Sequence, residues 1–130
     1  MSIRWYELGP GEREEVARRL AEALWKEERV ALAFLFGSFL DGAFRDVDVA
    51  VYLSGEVDLL DAAAYAEELS GRLTPLVGLP VDVVALNFAP AWLLRRAMAG
   101  RELVVRDEAL YAALWASALD EELGLSTLSK

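Results

Sequence analysis

Val16, Leu20 and Leu24 recur every four residues between charged positions, so residues 11–27 read as an amphipathic helix. The next stretch, 29–36 (RVALAFLF), is apolar almost throughout, as expected of a strand covered on both faces. It breaks at Gly37-Ser38, and a short turn or helical segment to Gly42 follows. From 46 to 53 the pattern alternates. Val47, Val49, Val51 and Leu53 share one face, and Asp46, Asp48, Ala50 and Tyr52 the other.

Asp58 or Asp61 can cap a helix running to about Leu73, with Leu59, Ala63, Ala66, Leu69 and Leu73 expected inward. Thr74-Pro75 and Gly78-Leu79-Pro80 are read as its end. Residues 81–86 (VDVVAL) form a third predicted strand, and Pro90 suits the first turn of a helix that Gly100 closes. A short strand is expected at 102–105. Asp107 caps a last helix carrying Leu110, Tyr111, Leu114, Trp115 and Ala118. The order helix–strand–strand–helix–strand–helix–strand–helix predicts an α/β (α+β) fold with one small mixed sheet and flanking helices. Trp25, Trp92, Tyr111 and Trp115 are expected to pack in the core.

At 130 residues the chain suits one domain, 1–130, and its 55% hydrophobic content is ample for a core. No apolar run approaches the roughly 18 residues of a membrane span, and the start lacks a basic-then-apolar leader layout. A cytoplasmic protein away from membranes is expected. Cysteine and histidine are both absent, which excludes disulfides, thiolate zinc sites and histidine-based nucleophilic catalysis. Chemistry is left to carboxylates, hydroxyls, arginines and backbone amides, a donor set suited to a hard cation such as magnesium. A net charge of −9 disfavours direct nucleic-acid binding and favours a basic protein partner.

Asp46 and Asp48 lie two apart on a strand, so they project the same way with roughly 7 Å between α-carbons. Two such charges on an otherwise apolar strand call for compensation. A divalent cation between them supplies it, with Asp82 on the third strand as a further candidate ligand. Three carboxylates on adjacent strands can hold two metal ions about 3.5–4 Å apart, an arrangement used for phosphoryl and nucleotidyl transfer. Gly37 lets the backbone approach a ligand closely, and the turn amides with the Ser38 hydroxyl suit phosphate. Taken singly, Gly-Ser is a common turn dipeptide and Asp-x-Asp a common solvated strand edge. Their succession, with Asp82 following, is what points to a metal–nucleotide site.

Gly37-Ser38, Asp46-Val47-Asp48 and Asp82 together resemble the signature of minimal nucleotidyltransferases of the DNA-polymerase-β-like superfamily. From Val81 to Asp120 the chain is also similar to their antitoxin branch (MNT), which pairs with HEPN-domain RNase toxins. The likeness implies a polymerase-β-like fold and transfer of AMP from ATP to a tyrosine of the toxin. By that likeness Asp46 and Asp48 would ligate two Mg2+ ions, Asp82 would complete one site and receive the acceptor proton, and Gly37 and Ser38 would hold the triphosphate. Relatives often carry a serine where this chain has Arg45, and a basic residue where it has Asp41. A homo-oligomer, or a hetero-oligomer with the toxin, fits the same picture. The alternatives are an antitoxin that acts by binding alone, and a nucleotidyltransferase acting on a small molecule or RNA.

Overall fold

The computed structural model describes residues 4–123. Its elements are α1 (Pro10–Trp25), β1 (Val30–Phe36), a 3-10 turn (Ser38–Leu40), β2 (Val47–Leu53), α2 (Leu59–Val77), β3 (Val81–Ala85), α3 (Ala91–Met98), β4 (Arg101–Val105) and α4 (Glu108–Leu123). The strands form one mixed sheet in the order β3-β2-β1-β4. β1 pairs antiparallel with both β2 and β4, while β2 and β3 run parallel. The expected fold class is therefore observed. Among the described residues no helix is long and apolar enough to cross a membrane.

The alternation on β2 divides the protein into two apolar layers. Val47, Val49, Val51 and Leu53 pack with Leu20 and Leu24 of α1 and Leu69 and Leu73 of α2. Ala50 and Tyr52 face Leu94, Ala97 and Met98 of α3 and Ala118 of α4. Every residue of β1 is buried, as a central strand covered on both faces requires. Asp46, Asp48 and Asp82 thus belong to the side of the sheet covered by α3 and α4, at the end where that cover stops.

Several details depart from the sequence pattern. The second helix runs on to Val77, through Pro75. A proline clashes with the carbonyl four residues back. Here that residue is Gly71, exposed and with open space around it, so the turn can deform toward water. The buried stripe of α2 is Ala62, Tyr65, Ala66, Leu69 and Leu73, while Leu59 and Ala63 face outward. Helical spacing sets that stripe at 62-65/66-69-73, and Ala63 lies a residue off it; Leu59 is in phase with it but is the first residue of the helix and stays exposed. Trp25 and Trp92 are exposed rather than in the core; Trp25 is covered by the Arg106 guanidinium, 4.8 Å above its ring.

The open edge of β3 is sealed by α2. Ser70 Oγ accepts from the Val83 amide (2.9 Å) and Thr74 Oγ1 from the Val81 amide (3.0 Å). Each hydroxyl donates in turn to its own helix, Ser70 to the Ala66 carbonyl and Thr74 to the Ser70 carbonyl. Two edge donors that would otherwise recruit a foreign strand are satisfied in this way, and β3, with Asp82, is fixed against the helix.

Candidate active site

The site residues come from three strands that end at one side of the sheet. The register pairs Asp48 with Phe36 of β1 on one side and with Asp82 of β3 on the other. Asp48 and Asp82 are therefore direct neighbours across a parallel pair, which places their side chains on the same face. Asp46 lies one residue before β2 rather than within it. Asp48 is half-buried, while Asp46 and Asp82 are exposed.

The electrostatics record this gathering. Burial pushes the Asp48 carboxyl above the usual carboxylate range, and the charges of Asp82 and Asp46 push it further, against an opposing pull from Arg96. Burial also raises Asp82, followed by the charges of Asp46 and Glu67. The three carboxylates thus interact unfavourably, the condition that a bound divalent cation relieves. Their oxygens are hard donors suited to such an ion. Among the described residues no group of three carboxylates converges into a ready-made cage.

Gly37 belongs to the same constellation for two separate reasons. Its φ of 81° and ψ of −163° lie in a region that only glycine occupies comfortably. A β-carbon built there would stand 2.5 Å from Asp48 Oδ2. The end of β1 is therefore pressed against the Asp48 carboxylate. Ser38 follows directly, exposed, at the start of the 3-10 turn.

Two arginines were not legible in the sequence as parts of this site. Arg96 sits on α3 close enough to Asp48 to lower its pKa. Its position depends on Gly100, where a β-carbon would lie 2.3 Å from the Leu35 carbonyl oxygen; glycine there lets the end of α3 close onto β1. Arg13 of α1 is the second. Its guanidinium donates to the carbonyls of Leu8 (2.8 Å), Phe39 and Gly42 (3.0 Å). It also lies 5.9 Å from the centre of the Phe39 ring. One side chain thereby clamps both ends of the turn that follows Gly37-Ser38. Arg13→Met should raise the KM for nucleotide far more than it lowers kcat. It should also destabilise the fold by about 2 kcal/mol, the scale of a lost charge-assisted hydrogen bond. Arg13→Lys, which can serve only part of the clamp, should fall between. Steady-state kinetics with urea denaturation checks both effects.

The comparisons fit this geometry. The family model described as polymerase beta, nucleotidyltransferase matches residues 18–109. No curated protein sequence matches the chain. A chain of the complex between a tri-AMPylated HEPN toxin from Shewanella oneidensis and an MNT antitoxin is 19% identical, with a TM-score of 0.66 over 88% of this chain and 90% of that one. A chain of a toxin–antitoxin complex with AMP-PNP is 19% identical, with a TM-score of 0.62 over 85% and 90%. A chain of the MntA–HepT complex is 18% identical, with a TM-score of 0.60 over 92% and 91%. At such identities the likeness shows a shared fold.

Proposed function

Because this chain belongs to the polymerase beta nucleotidyltransferase family, its fold and carboxylate cluster bear on a group-transfer reaction, and we propose that it moves AMP from ATP to a tyrosine hydroxyl of a HEPN RNase toxin, acting as that toxin's antitoxin. The observation that carries the reading is the in-register pair Asp48–Asp82, with Gly37 packed against Asp48 at the end of the neighbouring strand.

Asp46 and Asp48, with Asp82, would hold magnesium, which when bound neutralises charge on the phosphates and on the leaving group. Phosphate oxygens would complete the coordination that the side chains leave open. Gly37 and Ser38 would receive the triphosphate through backbone amides and a hydroxyl. The tyrosine oxygen attacks the α-phosphorus, a new O–P bond forms, and the bond from that phosphorus to the α–β bridging oxygen breaks. Pyrophosphate leaves with the electron pair, and Asp82 takes the tyrosine proton. An acidic chain of net charge −9 steers a basic partner toward this edge. AMP on the toxin adds bulk and negative charge where RNA phosphate must bind.

Incubation with the cognate toxin, ATP and magnesium should add one or more AMP units to the toxin, read by intact-mass spectrometry, and the Asp48→Asn protein should add none. An unchanged mass, with wild type and Asp48→Asn neutralising the toxin equally, would make this an antitoxin that acts by occupancy alone.

A further inference from the structure

Thr74 and Ser70 seal the β3 edge at Val81 and Val83, and the seal stops there. The Pro80 carbonyl accepts from the Val47 amide and the Leu86 amide donates to the Val51 carbonyl. The backbone of even-numbered β3 residues therefore faces β2, and that of odd-numbered ones faces outward. Ala85 is the next outward residue, and the matching position on α2, one turn before Ser70, is Ala66, which has no hydroxyl. Among the described residues the Ala85 amide accordingly has no partner. A cavity of about 310 Å3 opens at that point, with Ala63, Ala66 and Glu67 of α2 on one wall and Val84, Phe88 and Leu93 on the other. It wraps the strand edge, since Ala66 belongs to the layer under α2 and Val84 and Leu93 to the layer under α3. Phe88 is 53% exposed, an apolar ring left uncovered at its mouth.

The cavity leads to the carboxylates. Val84 follows Asp82 by two residues and shares its face of the sheet. Glu67 is the one charged residue of the lining, and its charge acts on Asp82. Among the described residues Glu67 has no ion-pair partner. We propose that this groove receives an extended segment of the acceptor protein, with an apolar side chain between Ala63 and Phe88 and a basic one at Glu67, so that the acceptor tyrosine arrives at Asp82. The proposal rests on the AMP-transfer reading above and adds what the acceptor must carry beside its hydroxyl. A strand added to a sheet edge gains main-chain hydrogen bonds, and its alternate side chains give selectivity. The peptide residue opposite Ala85 accepts from that amide and points, as Ala85 does, toward α2. Three residues further, about 10 Å at the rise of a strand, a side chain opposite Asp82 points to the other face, where Asp82 projects. Antiparallel pairing is the more stable kind per residue, and it sets the apolar anchor three residues before the tyrosine. A lysine or arginine between the two meets Glu67, a carboxylate outside the set assigned to magnesium.

The test uses the full chain saturated with magnesium and α,β-methylene-ATP, whose α–β bridge cannot break, into which the peptide acetyl-Thr-Leu-Thr-Arg-Tyr-Thr-amide is titrated calorimetrically. Replacing its leucine by serine should weaken binding about tenfold or more, the scale of one buried aliphatic side chain. Replacing its arginine by glutamate should weaken binding about threefold, the scale of an exposed ion pair. Glu67→Lys, at an exposed helical position, should reverse the order of the arginine and glutamate peptides. Ala63→Trp, also exposed, should fill the groove and cost as much as the lost leucine, while magnesium–nucleotide binding stays unchanged. With toxin as acceptor, both variants should raise the KM for toxin and leave kcat nearly unmoved. No binding of the peptide to wild type, equal binding of its serine form, or an unreversed order in Glu67→Lys overturns the groove. So does dimerisation of the wild type that Ala63→Trp abolishes, which would make it a contact between two copies. If wild type transfers nothing to the toxin, the AMP-transfer reading fails, while the peptide titration still decides the groove.

Discussion

Asp48→Asn should abolish AMP transfer, a loss of at least about 10²–10³ on the scale of removing one electrostatic group from a reaction centre, and should raise the melting temperature in metal-free buffer. The two effects have one cause. Asp48 is a carboxylate whose ionised form the fold opposes, through burial and through the charges of Asp82 and Asp46. A carboxyl whose folded pKa is raised binds its proton more tightly folded than unfolded. It therefore lowers stability as pH rises from the ordinary value near 3.8 through the raised folded value. The Asp48 contribution to stability in the metal-free wild type should thus be regained on acidification through that window, against the opposite contributions of Glu14, Glu15 and Glu27, whose pKa values their arginine partners lower. Asp48→Asn should lose this component of the pH dependence and match the acidified state at neutral pH. Magnesium with ATP should raise the wild-type melting temperature by ligand linkage and leave Asp48→Asn nearly unmoved. Calorimetric melts at several pH values, with and without magnesium, read all three outcomes. A large fall in melting temperature for Asp48→Asn in metal-free buffer would mark the residue as structural.

The elements that sequence patterning placed well are those in which one physical effect dominates. β1 is apolar on both faces because helices cover both, and β2 alternates because each of its faces meets a different layer. Asp46, Asp48 and Asp82 stood out because a carboxylate on such strands contributes nothing to packing. The structure adds that Asp48 and Asp82 are in register, which no spacing along the chain could state. The misread details depended on contacts between distant segments. Pro75 was taken as a helix end, yet Gly71 one turn earlier leaves the helix room to continue. Arg13 looks like any charge on an amphipathic helix until the turn it clamps, 26 to 29 residues away, folds beneath it. Gly100 does close α3 as expected, but the spacing could not show that a β-carbon there would meet the Leu35 carbonyl. Arg96 gains meaning only once that contact brings it toward Asp48.

Gly37→Ala should be more damaging than a glycine replacement in an open turn, because backbone and carboxylate both oppose it. From the sequence alone a side chain at this position fills the space of the incoming phosphate and leaves the fold intact. The structure shows the nearest occupant to be Asp48 itself, with Oδ2 2.5 Å from where the β-carbon would be. The backbone contribution comes from φ 81° and ψ −163°, for which a non-glycine residue costs about 1–3 kcal/mol. The second contribution is displacement of the Asp48 carboxylate, which should weaken magnesium–ATP binding at least tenfold as well as reduce stability. A double-mutant cycle separates the two. Once Asp48→Ala has removed the carboxylate, Gly37→Ala should retain only its backbone cost. The two changes should then couple favourably, by about 0.5–3 kcal/mol, as residues in contact do. Urea denaturation of the two single variants and the double variant gives that coupling. Strict additivity would show that Gly37 is required for its backbone conformation alone, and that its closeness to Asp48 carries no energy.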